Sequence, residues 1–567
     1  MRILLLTHSF NSLSQRLFVE LGRDGHELSV ELDVHERVTC EAVELYRPDL
    51  IVAPFLKRAI PAAIWQRHLC LIVHPGPPGD RGPSALDWAI LRGLPVWGVT
   101  VLQAEAELDG GAVWASASFS MRAGPKSSLY RREVTEAAVL AVREAIGRVN
   151  AGDGPLVADP SVATGHGWQP LLRQAQRAID WVADDTSTVL RKIHSADGAP
   201  GLVDRLLDRS YRLFDAHAEE RLSGRPGTLI ARRHESICRA TRDGAVWIGQ
   251  LQPTEESRHC FKRPAALVLG TAAEGLVEVD EEPSREIRYH EDGAVGYLHF
   301  DFYNGALSTT QCERLRSALA RARARPTRVI VLMGGSDFWC NGMHLHCIEA
   351  ADSPADCSWA NINAIDDLVR DILETDTHLT VAVLQGNAAA GGFCLALAAD
   401  RIVAHRGVIL NPHYRNMGNL YGSEYWTYLL PRRAGAAQTS RIMAERLPLG
   451  APEAHALGLI DELAATAPGY LRTLAERCAG HLAEDGPFRR ALAEKSVRRS
   501  EDERRRPLAD YRSAELARMH QNFYGADPSY HIARHRFVCR TPHGWTPLHL
   551  ARHRRVGFAV DQRRASG

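Results

Sequence analysis

The chain of 567 residues has no excess of either charge, because 68 Lys and Arg face 68 Asp and Glu. No global basic field therefore exists to hold a nucleic-acid backbone. The sequence also lacks any apolar stretch near the roughly 18–20 residues that cross a bilayer. Its opening, MRILLLTHSF, turns polar after a short apolar run and has no small-residue cleavage site, so it is read as a first β-strand and not a secretory signal. The eleven cysteines include no C-x-x-C pair. An odd number at irregular spacing describes reduced thiols, not a disulfide scaffold or a structural zinc site. These absences leave a cytoplasmic multidomain enzyme as the expectation, with no nucleic-acid and no membrane partner. At roughly 100–200 residues per domain, the length corresponds to about three or four domains.

What is present is a strand–helix rhythm. Residues 2–7, 28–32, 50–52, 69–73 and 96–102 are short runs rich in Leu, Ile and Val, with helical patterns at 13–24 and 83–92. That alternation predicts a Rossmann-like parallel sheet covered on both faces, with ligands outside the carboxyl ends of its strands. A helix at about 128–150 follows, then a Gly/Pro-rich passage at 151–170 and helical segments over 171–225 that break at HSADGAPG. Short β runs from 227 to about 280 predict a small OB-like β-barrel. After EEPS at 281–284 the rhythm restarts, with strands expected at 287–302, 328–332 and 380–384 and helices at 308–325 and 360–376. RRSEDERRR at 498–506 mixes signs and is read as a solvated helix face; the tail beyond 536 is basic, a candidate phosphate-contacting segment. The expected fold class is α/β multidomain. Residues 1–170 form the Rossmann-like domain, 171–280 a helical connector and OB-like barrel, and 281–567 an α/β domain with a helical tail.

His74 ends a strand before a Gly/Pro turn, and Asp109 precedes a Gly-Gly turn after a neighbouring strand. A carboxylate can orient an imidazole and adjust its proton affinity, so the two make a natural acid–base pair. Taken singly, a His in a turn is more often structural, and an Asp before Gly-Gly is usually a turn former. The polar residues Gln15, in SFNSLSQR, and Arg131, in SLYRREVT, are candidates for the same cleft, although Arg131 also suits a helix cap or a surface charge. The segments IVHP, GPPGDRG, GVT (98–100) and LDGG (108–111) together resemble the motifs of the 10-formyltetrahydrofolate-dependent formyltransferases over roughly residues 1–280. The resemblance implies 10-formyltetrahydrofolate as formyl donor and His74 with Asp109 as the catalytic pair. In that family an Asn stands where this chain has Ile72, which lines the formyl site but cannot donate to a developing oxyanion. Losing such a donor typically costs about 10²–10³ in rate. Either another group substitutes, or the acceptor is more reactive than an amine.

DFWCNGMHLHCIE (337–349) follows a predicted strand and contains Asn-Gly, and GNAAAGGFCLALAAD (386–400) places a run of small residues before a predicted buried helix. Small residues let a ligand approach the backbone, and helix N-terminal amides can bind an anionic oxygen; tight helix–strand packing uses the same residues. His344 and His346 have no Cys or carboxylate partner at diagnostic spacing, so no metal is expected. The order WCNGMH, GNAAAGG, DRIVA, APEAHALGLID resembles the crotonase (enoyl-CoA hydratase/isomerase) superfamily over about residues 285–470. That resemblance implies a coenzyme A thioester whose carbonyl oxygen meets the amides of Met343 and Gly391. The catalytic Glu positions of an ordinary hydratase fall on Cys394 and Tyr414, which removes water addition by two carboxylates. Tyr414 and Glu424, ten residues apart in NPHYRNMGNLYGSEYW, are the catalytic candidates instead. A phenol can donate a hydrogen bond, and a carboxylate in an apolar cleft can accept a proton near neutrality.

The order of the whole chain, with Ile72 and Tyr414, resembles the HypX (HoxX) family of hydrogenase maturation factors. Further matching segments are FNSLSQR, RKIHSADGAPG and FDFYNGALS, which contain Gln15, Ser195 and Asn304. The resemblance implies that the formyl group of 10-formyltetrahydrofolate passes to coenzyme A, and that formyl-CoA then loses carbon monoxide, the CO ligand of a [NiFe] hydrogenase. It also implies Ser195, Asn304 and, in the basic tail, Arg540 as coenzyme A contacts, with the hydrogenase maturation machinery as partner. A formyl-folate/formyl-CoA hydrolase releasing formate and a non-catalytic carrier in hydrogenase assembly are the alternatives.

Overall fold

The computed structural model describes residues 1–157, 167–255, 260–279, 286–465, 469–542 and 544–555. The chain divides into two compact units, residues 1–280 with 542–567 and residues 281–541. The expected boundary at 281–284 and part of the Gly/Pro-rich passage, 158–166, lie outside the described residues.

In the first unit, β1 (Arg2–Thr7), β2 (Glu27–Leu32), β3 (Leu50–Phe55), β4 (Cys70–His74), β5 (Val96–Gln103) and β6 (Val113–Ser120) form a sheet ordered β2-β1-β3-β4-β5-β6. Strands β1 to β4 are parallel, as their rhythm predicts. The sheet as a whole is mixed and not parallel throughout, because β5 runs against β4 and β6 against β5. Only the loop 104–112 joins β5 to β6, and a connection without a crossover helix returns a strand antiparallel. The helix expected at 128–150 begins earlier, at Lys126–Leu129, passes through a π turn at Tyr130–Val134 and continues as Thr135–Ala151.

Beyond the helix Thr186–Ala196, strands β7 (Leu202–Leu206), β8 (Arg209–Glu219), β9 (Leu229–Arg233), β10 (Ser236–Ala240) and β11 (Ala245–Pro253) pair antiparallel in the order β9-β10-β11-β8-β7. Among the described residues no ladder joins β9 to β7, so the expected barrel is open at that seam.

Residues 544–555, which the sequence pattern leaves with the last domain, fold into the first unit. Val30 N donates to Leu550 O at 3.1 Å and Leu32 N to Thr546 Oγ1 at 2.8 Å, so the segment lies along β2, the edge of the sheet. Covering an edge strand removes a row of unpaired backbone groups. The fully buried Glu31 of β2 receives Thr546 Oγ1 at 2.7 Å, His553 Nε2 at 2.8 Å and Arg554 Nε at 3.0 Å. Arg554 also reaches Glu41 at 2.9 Å. These two basic side chains of the tail therefore meet carboxylates.

In the second unit, β12 (Ile287–Asp292), β13 (Val295–Phe300), β14 (Val329–Met333), β15 (Leu379–Leu384), β16 (Arg401–His405) and β17 (Glu462–Ala464) follow that order across one sheet, parallel from β13 onward. The single strand expected at 287–302 is a hairpin: Asp292 pairs with Val295 across Gly293, whose φ of +57° is the left-handed turn conformation that Asp-Gly favours. A smaller sheet joins Phe338–Cys340, Asn387–Ala389, Ile409–Asn411 and Leu449–Gly450, and the helix Gly391–Leu397 leaves from its second strand. The helices Asp485–Arg505, Leu508–Tyr524 and Ser529–Val538 form the tail of this unit. RRSEDERRR lies largely exposed on the first of them, although Asp502 and Arg499 hold the Tyr428 hydroxyl at 2.7 and 3.0 Å.

Candidate active sites

His74 ends β4, and Ile72 shares its face of the strand by the period of two. Trp97 Nε1 donates to Pro75 O and Thr100 Oγ1 to Gly76 O, each at 2.8 Å, which pins the turn that follows. A Cβ on Gly76 would collide with both the Asp80 carboxylate and the His74 ring, so glycine is required there. The turn returns Asp80 Oδ2 to within 2.9 Å of His74 Nε2. Asp109 Oδ2 lies 3.7 Å from the other ring nitrogen, Nδ1, and accepts from Gly82 N at 3.0 Å. The expected His74–Asp109 pair is therefore brought together, but the hydrogen-bonded carboxylate is Asp80. Sequence reasoning missed Asp80 because it stands inside a motif taken as a turn, GPPGDRG. Asp80 is buried, and its Oδ1 has no hydrogen-bond partner.

Ile72 packs against the cluster of Leu4, Leu6, Ile51 and Ala53 and supplies no donor. At the same carboxyl edge of the sheet, the Tyr130 ring meets Phe55 edge-on at 6.2 Å and its hydroxyl bonds the Asn11 side chain. Burial pushes that phenol up. These contacts dock the π turn that carries Arg131 against the helix start that carries Gln15, whose Nε2 donates to Phe10 O at 2.9 Å. Single-turn π bulges inside helices often mark functional sites. Ser195 is fully buried in the last turn of Thr186–Ala196, and its hydroxyl donates to Lys192 O at 2.8 Å.

In the second unit Gly391 opens its helix, so its amide has no acceptor within that helix. Gly342–Met343 pairs with Ala306–Leu307 and lies beside it: a Cβ on Gly342 would stand 3.4 Å from Gly391 N. Ala390, with φ +48°, delivers the chain into the helix. The carboxyl group of Glu424 fills the space beside Gly391, where a Cβ would strike Oε1. Tyr414 donates to Ser423 O at 3.1 Å, lies 3.2 Å from Cys394 Sγ and hydrogen-bonds with Glu424. Gly422, at φ +92°, leaves room for the Tyr414 ring. Tyr414, Glu424 and Cys394 are all buried, and the structure gathers them with Gly391 as their spacing and family resemblance anticipate.

Two carboxylates that sequence reasoning missed hold this loop. Asp366, from the helix Pro354–Leu373, accepts Glu424 N through Oδ1 and the Ser423 hydroxyl through Oδ2, each at 2.8 Å. Glu515, from Leu508–Tyr524, accepts Tyr425 N at 2.9 Å, Thr427 N at 2.8 Å and the Thr427 hydroxyl. They secure two successive left-handed residues, Glu424 at φ +62° and Tyr425 at +59°. Strain of that kind persists only where neighbouring structure imposes it. The available signal was an acid at a core-facing position of an otherwise amphipathic helix. Burial raises Glu424 well above the carboxylate range, and Asp366 beside it raises it further; burial lifts Asp366 to about 7 and Glu515 to about 8. Burial also pushes the Cys394 thiol and the Tyr414 phenol well up.

Asn304 occupies a left-handed turn at φ +56° whose carbonyl accepts Asn341 Nδ2 at 2.8 Å. Arg540 is exposed just beyond Ser529–Val538. His344 caps a short helix through Cys347 N at 3.2 Å, and burial lowers its pKa to about 4. Among the described residues no group of three or more His, Cys, Asp or Glu is placed to hold a metal ion, and no helix is long and apolar enough to cross a membrane.

Residues 28–146 match the formyl transferase family model, 171–260 the formyl transferase C-terminal domain, and 292–546 the enoyl-CoA hydratase/isomerase family. The fold and the two sites thus define a formyltransferase joined to a crotonase-like domain. The chain is 54% identical over 572 aligned positions to the hydrogenase maturation factor HoxX of Bradyrhizobium diazoefficiens, covering 99% of this chain and 100% of that protein. It is 48% identical to HypX of Aquifex aeolicus, solved in complex with tetrahydrofolic acid, with a TM-score of 0.93 over 98% of this chain and 99% of that one. Methionyl-tRNA formyltransferase of Burkholderia multivorans is 28% identical over 220 residues, 37% of this chain and 66% of that protein. The chain belongs to the HypX (HoxX) family of hydrogenase maturation factors.

Proposed function

We propose that the protein produces the carbon monoxide ligand of a [NiFe] hydrogenase from 10-formyltetrahydrofolate in two steps. In the first, the coenzyme A thiolate attacks the formyl carbon; a C–S bond forms, the C–N bond to folate breaks, and His74 manages the proton that the leaving nitrogen takes. Asp80 and Asp109 orient the imidazole from its two sides. A thiolate is a strong nucleophile even at a small ionised fraction, which favours transfer without a donor at Ile72. Gln15 and Arg131 hold the folate and its formyl group. The tetrahydrofolic acid complex of the Aquifex aeolicus relative supports folate as the donor.

In the second step the amides of Met343 and Gly391 receive the carbonyl oxygen of formyl-CoA, the formyl proton leaves toward Glu424, and Tyr414 protonates the sulfur as CO departs. Asn304 and Arg540 are assigned to coenzyme A in the second unit, Arg540 to a phosphate. The protein works in the cytoplasm with the hydrogenase maturation machinery. One observation carries the reading: the Glu424 carboxyl packs on Gly391 beside Tyr414, while Cys394 stands where a hydratase needs a carboxylate.

The test mixes the protein with 10-formyltetrahydrofolate and coenzyme A, traps CO with deoxyhaemoglobin and quantifies formate. CO that requires coenzyme A and disappears in Glu424→Ala is expected. Formate without CO replaces this reading with a hydrolase. Maturation activity that survives both His74→Ala and Tyr414→Phe replaces it with a carrier.

A further inference from the structure

The buried neighbours of Glu424 set the protonation state that it brings to the proposed second step. Asp366 and Glu424 lie side by side and are buried, with 0% and 1% of their surface exposed. Two like charges so placed raise each other's cost, and the pair is stable with a single negative charge. The hydrogen bonds decide where that charge sits. Asp366 accepts two, from Glu424 N and the Ser423 hydroxyl, and Arg512 Nε lies 3.8 Å from its Oδ2. Glu424 accepts one backbone donor, Ser423 N at 3.0 Å. Tyr414 adjoins the Glu424 carboxyl, and its hydroxyl donates to Ser423 O at 3.1 Å.

We propose that Asp366 is a positioning residue that carries the charge of this pair, so that Glu424 enters decarbonylation as a neutral carboxylic acid. The inference rests on the two-step reading above. The formyl proton passes to the free oxygen of the Glu424 carboxyl, and its bonding pair stays on carbon as the lone pair of CO. The C–S bond breaks with its pair on sulfur, which takes the Tyr414 hydroxyl proton. The original Glu424 proton replaces it on Tyr414. Both residues end in their starting state, and no new charge is created in a buried site, where an unpaired charge is costly.

The other titratable groups facing the pair come from every neighbouring element. Tyr414 and Cys394 lie on its substrate side, Cys340 and Cys312 in the adjoining core, Glu515 on the helix Leu508–Tyr524, and Asp367 beside Asp366, held by Arg512 at 2.6 Å. Burial keeps Cys312, Cys340, Cys394 and Tyr414 protonated, so none competes for the charge near neutrality.

Infrared difference spectroscopy on the full-length protein tests the assignment without requiring activity. A buried carboxylic acid band is expected at pH 7 and is lost in Glu424→Gln. In Asp366→Asn, which keeps an acceptor for Glu424 N but removes the charge, the pH at which the band vanishes falls by about one unit or more. The alkaline limb of CO release from formyl-CoA moves down with it. Ser423→Ala, which removes one donor from Asp366 and leaves the carboxyl in place, shifts both in the same direction by less. No Glu424 band at neutral pH, or a midpoint unmoved in Asp366→Asn and Ser423→Ala, overturns the proposal. A band that behaves as expected while no form releases CO from formyl-CoA retires the two-step function and the proton relay together, and leaves the charge assignment standing.

Discussion

The carboxyl group of Glu424 rests directly beside the Cα of Gly391, so one absent methyl group determines where the proposed catalytic acid sits. Gly391 is the first residue of a helix, a position that alanine tolerates in the backbone. Gly391→Ala is therefore expected to keep the fold and displace Glu424. CO release in a single turnover should drop by about 10²-fold or more, the scale of losing a positioned group. An unchanged rate would show that the acid does not act from this position.

A second prediction concerns Asp80. Its carboxylate is hydrogen-bonded to His74 Nε2 and buried. Asp80→Asn keeps the shape and removes the charge, so the imidazole loses the partner that fixes its tautomer. Formyl transfer is expected to slow by about 10²-fold. Tetrahydrofolate binding, measured by calorimetry, should stay near its original strength. A loss confined to folate binding would assign Asp80 to the ligand and not to His74.

Glu31 makes the attachment of the C-terminal segment depend on acid. Burial raises its pKa, but His553, Thr546 and Arg554 together hold it below the ordinary glutamate range. A carboxylate whose folded pKa is depressed contributes stability that is complete above its unfolded value and is lost as pH falls through the folded one. Residues 544–555 should accordingly release below about pH 4.3. Hydrogen exchange at Val30 N and Leu32 N reports that release. Glu31→Gln leaves His553 and Arg554 without their buried partner and should cost about 3 kcal/mol at neutral pH. Exchange at β2 that is indifferent to both changes would exclude the segment as a cover for the edge.

Ala390 holds φ +48° with ψ −129°, a conformation that favours glycine. Ala390→Gly is expected to raise stability by about 1 kcal/mol in urea unfolding. A destabilised variant would show that the Ala390 methyl supplies packing worth more than the strain it brings.

By itself the sequence determined the strand–helix rhythm, while resemblance to two families singled out His74, Asp109, Tyr414, Glu424 and Gly391 as candidates. The rhythm and the turns are carried by local chemistry: Leu, Ile and Val runs bury a strand on both faces, and Gly-rich turns admit a ligand at its end. The hairpin at Gly293 was legible in principle from Asp-Gly, but a continuous β pattern hid it. The reversal of β5 and β6 was not legible, because strand direction depends on how the intervening chain crosses the sheet. Only the tertiary structure placed Asp80 on His74, Asp366 and Glu515 under Glu424, and Glu31 against His553. Those partners lie 6, 58, 91 and 522 positions apart in the chain. A buried carboxylate is chosen by what surrounds it in space, and a burial pattern along one helix or strand does not name the group on the far side.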